Sequence, residues 1–99
     1  MKGGVRVKNK SAMQDDRQCL ICGSEVTEAH HVFFGTANRR MSDKYGLIVY
    51  LCPDHHRGEN GVHHNRYFDL MLKKEAQLVF EEDIGTHKEF MQAFGRNYL

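Results

Sequence analysis

Two short pairs of residues in this sequence have the chemistry and spacing of zinc ligands. Cys19 and Cys22 form a CxxC pair, and Cys52 and His55 repeat the same spacing. Each pair offers two ligands from one tight turn, which suits a tetrahedral Zn²⁺ ion with ligand distances of about 2.0–2.3 Å. The chain has three cysteines, and an odd number favours metal ligation over a disulfide framework. We therefore predict a structural Cys3His zinc site. The alternative is that the cysteines are buried apolar residues and that His55 caps a helix.

The other histidines are concentrated near these zinc ligands. Six of the seven histidines lie between His30 and His64. His30 and His31 are adjacent in a predicted strand, where neighbouring side chains face opposite sides, so we expect them to have different roles. One imidazole can bind a second, catalytic ion while its neighbour acts as a general base, since neutral histidine suits both roles near pH 7.

The spacing of His56 and His63 constrains how both could reach that second ion. In an unbroken helix, residues seven apart lie about 10 Å from each other along the axis and could not share one ion. Gly58 and the Asn60–Gly61 pair interrupt the helical pattern, and a loop at this point would bring His63 back beside His56. Two alternative ligands are Asn60, if the helix is continuous, and His64. A further alternative is that His63 or His64 only caps or solvates the next helix.

The elements that must position these side chains follow from the hydrophobic pattern. Residues 25–34 are rich in β-branched and aromatic side chains, and residues 47–51 form a continuous apolar run, so both are predicted strands. The segment 35–46 between them is polar and basic, which predicts a long hairpin loop. Three helices are predicted, namely a short one from about Asp54 to Arg57, an amphipathic one from about His64 to Glu81, and a final one that begins with a Thr86–Glu89 capping box and ends at Gly95.

Length and composition indicate one small domain. The chain has 99 residues with a net charge of +1, and 40% of them are hydrophobic, which leaves room for one modest core. Residues 1–17 carry five basic and two acidic side chains and no clear periodicity, which predicts a flexible basic arm ahead of a single domain at 18–99. The sequence has neither an apolar stretch of membrane-spanning length nor the apolar run of a secretory signal, so we expect a cytoplasmic protein without a membrane partner.

Taken together, three features resemble the HNH, or ββα-metal, endonuclease superfamily. These features are the CxxC turn, a strand bearing His30–His31, and the run Leu-Cys-Pro-Asp-His-His over 51–56. The likeness covers about 19–65, roughly half of the chain, and is greatest to small prophage-encoded HNH proteins and to the nuclease domain of the phage recombination-enhancement function protein. It implies an α+β fold, in which a small zinc-stabilised ββα-metal unit carries additional C-terminal helices.

The resemblance also implies a role for each histidine. His30 would bind the catalytic metal, His31 would be the general base, and His56 and His63 would complete the metal site, so that His30, His31 and His56 form the catalytic set. The implied activity is metal-dependent hydrolysis of phosphodiester bonds in DNA with low sequence specificity. The second ion could be Mg²⁺, Mn²⁺, Ni²⁺ or Zn²⁺, and an all-histidine site favours a transition ion.

Basic side chains near these histidines are candidates for DNA binding. Arg39, Arg40 and Lys44 in the predicted loop and Arg57 beside the site could hold backbone phosphates, and such contacts position DNA without reading its sequence. A recombinase or another phage recombination protein is a further candidate partner. The sequence leaves open whether the chain is a monomer or a dimer.

One departure from the family pattern favours a second interpretation. The family usually has an asparagine about five or six residues before the cysteine that corresponds to Cys52, where it holds the hairpin loop, but Gly46 and Leu47 occupy these positions. Other side chains could hold the loop instead, and the candidates are Asn38, Asp43 and Tyr45. The alternative function is therefore an inactive zinc-stabilised module that binds nucleic acid or assists recombination.

Overall fold

A two-stranded antiparallel sheet lies at the centre of the fold. Strand β1 (Glu28–His31) pairs with strand β2 (Ile48–Leu51), so that Glu28 faces Leu51 and His31 faces Ile48 across the ladder. The computed structural model describes residues 11–99, and the first ten residues of the predicted arm lie outside the described residues. All four residues of β2 are buried, because both faces of this strand are covered. This explains its continuous apolar sequence.

The segment between the strands is a helix, and the prediction of a long loop there is wrong. Helix α1 (Thr36–Tyr45) occupies almost the whole of it and ends at Gly46, which adopts a left-handed conformation with φ of 71°. Its residues are mostly polar because only one side of the helix meets the core, through the partly buried Met41 and Tyr45 and the fully buried Ser42. The strands are therefore joined by a helical connection. Both strands are also shorter than predicted.

The described end of the predicted arm, residues 11–17, lies along the outer edge of β2. The backbone N–H of Ala12 donates to the carbonyl of Gly46 at 2.7 Å, and the Ser11 hydroxyl donates to the carbonyl of Ile48. The Gln14 side chain accepts a hydrogen bond from the N–H of Tyr50 at 2.9 Å. These contacts satisfy backbone groups that an edge strand would otherwise leave unpaired.

Three further helices follow the sheet, as predicted. Helix α2 (Pro53–Arg57) starts with a proline at its first position, and a short 3₁₀ turn (Val62–His64) precedes helix α3 (Arg66–Val79). Asn65 caps α3 by accepting a hydrogen bond from the N–H of Phe68 at 3.0 Å. A single π-helical turn (Phe80–Ile84) extends α3, and helix α4 (His87–Phe94) begins with the predicted capping box.

The C-terminal helices pack inward and supply much of the core. Phe90 of α4 and Phe80 after α3 are fully buried, and the Phe94 ring lies 4.4 Å from the ring of Phe33, which follows β1. Residues 11–99 thus form a small α+β fold with a two-stranded sheet and four α-helices. Within this part of the chain, every helix is too short or too polar to cross a membrane.

Candidate metal centres

The first candidate centre is formed by the predicted zinc ligands Cys19, Cys22, Cys52 and His55, whose ligand atoms lie within 4.8 Å of one another. The Cys22 and Cys52 sulfurs are 3.8 Å apart, and His55 Nδ1 lies 3.7 Å and 3.3 Å from the sulfurs of Cys19 and Cys52. Around a tetrahedral zinc ion, two thiolates would lie about 3.8 Å apart, and a thiolate and an imidazole about 3.5 Å. The four residues can therefore hold a structural metal ion such as zinc.

The surroundings of Cys19 favour its thiolate form. Burial alone would raise the pKa of this thiol, but hydrogen bonds from the backbone of Cys52, Cys22 and Ile21 and from the His55 ring outweigh burial and lower the pKa to about 6. Since the thiolate is the form that binds metal, Cys19 is prepared as a ligand near neutral pH.

The second candidate centre consists of His30, His56 and His63, which also place one nitrogen each within 4.8 Å of one another. The Nε2 atoms of His56 and His63 are 3.2 Å apart. Two imidazole ligands of a tetrahedral ion would lie about 3.4 Å apart, so the spacing of this pair suits a shared cation. We refer to these three residues as the histidine centre.

The break in the helical pattern after α2 brings His63 to this centre. Gly58 ends α2, and Gly61 leads into the 3₁₀ turn that carries His63. A Cβ atom on Gly58 would lie 2.4 Å from the carbonyl oxygen of Asp54, and one on Gly61 would lie 2.8 Å from the same oxygen. Only glycine fits such a close approach, which accounts for both residues in this loop.

Glu28 orients His56, a role that the sequence pattern did not predict. Its Oε1 atom lies 2.7 Å from His56 Nδ1, and since a carboxylate only accepts hydrogen bonds, Nδ1 carries the proton. The lone pair of His56 Nε2 therefore faces the centre. Arg57 donates to both oxygens of Glu28 and, with His56, lowers the pKa of this carboxyl to about 2. Glu28 is two residues before His30 and so shares its strand face, a period-two signal that could have identified it.

Burial keeps His30 neutral. Only 2% of the residue is exposed, and its Nε2 atom has no hydrogen-bond partner. Burial first, and then the nearby His56, His63, Lys73 and His31, lower the pKa of His30 to about 3. In the tautomer that carries its proton on Nδ1, the unpartnered Nε2 presents a lone pair to a cation.

His31 belongs to a separate contact. Its Nε2 atom lies 3.2 Å from Oδ1 of Asp43 on α1, and its side chain is 13% exposed. The carboxylate requires a proton on Nε2, so in the neutral ring the lone pair is on Nδ1. Asp43, one of the candidates for holding the connection between the strands, thus orients His31.

Ser42 secures the connection between the strands. Its hydroxyl donates to the carbonyl of Phe33 at 2.8 Å and accepts from the N–H of the same residue at 3.1 Å. The Ser42 carbonyl also accepts a hydrogen bond from Leu47. This buried residue thereby holds the end of β1 against the end of α1. Nothing in the sequence indicated this role of Ser42, because a serine in a polar stretch is usually a surface residue.

The candidate phosphate-binding residues lie on the surface. Arg39, Arg40 and Lys44 are exposed on α1, and Arg39 and Arg40 lie four and three residues before Asp43, on the same side of the helix. Arg57 is paired with Glu28 instead of standing free. The two alternative ligands, Asn60 and His64, are exposed and not part of the histidine centre.

Comparisons with known proteins do not add to this geometry. No protein-family model matches the chain, and searches of curated proteins and of solved structures found no match. The chemistry of the two centres is therefore interpreted from their own residues.

Proposed function

We propose that this protein is a metal-dependent DNA endonuclease of the HNH type, with zinc at the Cys3His centre and a second divalent ion at the histidine centre. The observation that carries the proposal is the convergence of three imidazoles, of which His30 is buried and neutral and His56 is oriented by Glu28. His31, the next residue after His30, is in turn oriented by Asp43. A zinc-binding module would need only the Cys3His ligands, so the histidine centre calls for a further role.

The Cys3His centre would act as a structural support for this chemistry. Zinc would join the turn at Cys19–Cys22 to the start of α2 at Cys52 and His55, and His56 follows the last of these ligands directly. A fixed α2 holds His56 against Glu28. Zinc binding would therefore stabilise the fold and set the position of one ligand of the second ion.

His31 is the proposed general base. Its Nε2 proton is held by Asp43, so Nδ1 can accept a proton from water as that water attacks the phosphorus of a phosphodiester. The bond from phosphorus to the 3′ oxygen then breaks, which leaves 5′-phosphate and 3′-hydroxyl ends. The divalent ion supplies Lewis-acid and charge stabilisation of the phosphodiester as charge develops.

Helix α1 supplies the proposed contacts to the DNA backbone. Arg39, Arg40 and Lys44 flank Asp43 on the exposed side of the helix, so their positive charges lie on the element that orients the base. Phosphate contacts of this kind carry no sequence information, and we expect low specificity and binding that weakens with salt. A recombinase remains a candidate partner only through the family resemblance.

One observation favours a second candidate function, an inactive nucleic-acid-binding module. The asparagine of the family pattern is absent from positions 46 and 47, and the connection between the strands is held by Ser42 and Asp43. If catalysis needs the amide itself, this arrangement would preserve the fold without the reaction. The oriented His31 has no role in that alternative, so we favour the active enzyme.

Cleavage of supercoiled plasmid in the presence of Mn²⁺, Ni²⁺, Zn²⁺ or Mg²⁺ tests the proposal. We expect nicking with at least one ion, its loss in EDTA, and a fall of about 100-fold or more in His31→Ala, the usual effect of removing a general base. His87→Ala is the matched control, since His87 lies on α4 and pairs with Glu81. Equal nicking by wild type and His31→Ala under every ion would contradict the enzyme and leave the binding module.

A further inference from the structure

Two buried polar atoms in residues 11–99 lack a hydrogen-bond partner, and their positions suggest a common cause. They are Nε2 of His30 and Oδ1 of Asp69. Buried polar atoms are almost always paired, because an unpaired one costs about 1–3 kcal/mol, and an exception often marks a missing ion or water. The histidine centre explains the first atom. The second belongs to a carboxylate on α3 that the proposed reaction does not use.

Asp69 is connected to the histidine centre through a short series of contacts. Its other oxygen, Oδ2, accepts a hydrogen bond from Lys73 Nζ at 2.7 Å. The same Nζ atom is 4.1 Å from the centre of the Phe34 ring. The centre of that ring lies 5.9 Å from the ring centre of His63 and 6.2 Å from the ring centre of His30. The Asp69–Lys73 pair is therefore one side chain away from two of the three imidazoles.

The charges of this pair also act on the centre. Burial and His56 lower the pKa of His63 most, Lys73 lowers it further, and Asp69 opposes this lowering. Lys73 also contributes to the lowered pKa of His30, after burial, His56 and His63. The charge of Lys73, whose side chain is 11% exposed, would repel a cation at the histidine centre. The Asp69 carboxylate offsets that repulsion and still has one oxygen without a partner.

We propose that Asp69 is an outer-sphere partner of the cation at the histidine centre, with Oδ1 accepting a hydrogen bond from a water molecule bound to that cation. Three imidazoles leave at least one coordination position for water on any of the candidate ions. The inference rests on the cation-binding half of the proposed function and does not depend on DNA cleavage. Asp69 is thus a positioning residue for the metal and its water.

Calorimetric titration of Ni²⁺ into protein that already holds one equivalent of zinc tests this role. We expect Asp69→Asn to weaken Ni²⁺ binding by about tenfold or more, the usual effect of removing an outer-sphere partner. Glu75→Gln makes the same charge change on the exposed side of the same helix and should bind Ni²⁺ like wild type. Far-UV circular dichroism and zinc content check that each variant remains folded.

Lys73→Met separates positioning from a merely structural salt bridge. Removal of the lysine breaks the same ion pair but leaves the carboxylate, so we expect Ni²⁺ binding at least as tight as in wild type. If both variants weaken Ni²⁺ binding equally, or if Asp69→Asn has no effect, the role is overturned. Absence of Ni²⁺ binding by wild type would also overturn it. Normal Ni²⁺ binding without plasmid nicking would instead reject only the proposed reaction.

Discussion

At the scale of single residues, carboxylates decide which histidine nitrogen is available. Glu28 accepts a hydrogen bond from Nδ1 of His56 and directs Nε2 to the histidine centre, while Asp43 accepts one from Nε2 of His31 and leaves Nδ1 for proton transfer. His30 has no such carboxylate, and burial, followed by the nearby His56, His63 and Lys73, keeps it neutral. Two adjacent residues of one strand thereby acquire different chemistry.

The lowered pKa of His30 predicts that the protonation state of its ring does not change with pH near neutrality. A buried histidine with a pKa of about 3 stays neutral throughout the range from pH 5 to 8, whereas an ordinary histidine with a pKa near 6.5 gains a proton within it. We expect the ring proton signals of His30 in NMR spectra of the zinc-loaded protein to show no titration over that range. The spectrum of His30→Gln assigns the signals, and an inflection near pH 6.5 would show that the site is open to water.

At the scale of elements, the loop between α2 and α3 decides whether three histidines can share one cation. The loop reverses over Gly58 to Gly61 and returns His63 to within 3.2 Å of His56, as the sequence predicted from the two glycines. The backbone approaches itself so closely here that a methyl group at either glycine has no space. Ligand geometry in this centre is therefore a property of the loop as much as of the imidazoles.

Gly61→Ala should disturb the histidine centre without removing any ligand. The added Cβ would lie 2.8 Å from the Asp54 carbonyl oxygen and 2.8 Å from the His56 carbonyl carbon, so the loop must shift and carry His63 with it. We expect Ni²⁺ binding to the zinc-loaded protein to weaken by about tenfold or more, since metal sites tolerate displacements of only about 0.5 Å. Asn60→Ala, an exposed change in the same loop, is the control. Unchanged Ni²⁺ affinity in Gly61→Ala would contradict this account of the loop.

Sequence reasoning predicted the features set by spacing and missed those set by packing. The CxxC and CxxH pairs, the short helix after Cys52 and the capping box of α4 depend on residues a few positions apart, and all were found. Helix α1 was taken for a loop because its buried side is narrow and includes a serine. The Ser42–Phe33 and Glu28–His56 contacts join residues 9 and 28 positions apart, and the Lys73–Phe34 contact that links Asp69 to the histidine centre joins residues 39 positions apart. Ser42, Glu28 and Asp69 are residue types that by themselves suggest ordinary surface positions.

At the scale of the whole molecule, packing and metal binding share the work of stabilising a short chain. The C-terminal helices close the core through Phe80, Phe90 and Phe94, which pack against Phe33 and against one another. Structural zinc contributes about 10–16 kcal/mol in small zinc-binding peptides, comparable with the whole stability of a typical domain of about 5–15 kcal/mol. We infer that zinc at the Cys3His centre holds the N-terminal half while aromatic packing holds the C-terminal half.

The central claim is that two separate metal centres exist, one of thiolates and one of imidazoles. Anomalous diffraction from crystals grown with both Zn²⁺ and Ni²⁺, recorded at the absorption edge of each metal, tests it most directly. We expect a zinc peak among Cys19, Cys22, Cys52 and His55, and a second peak, from nickel or zinc, among His30, His56 and His63. A single peak at the cysteines, with no anomalous density between the three imidazoles, would contradict the account.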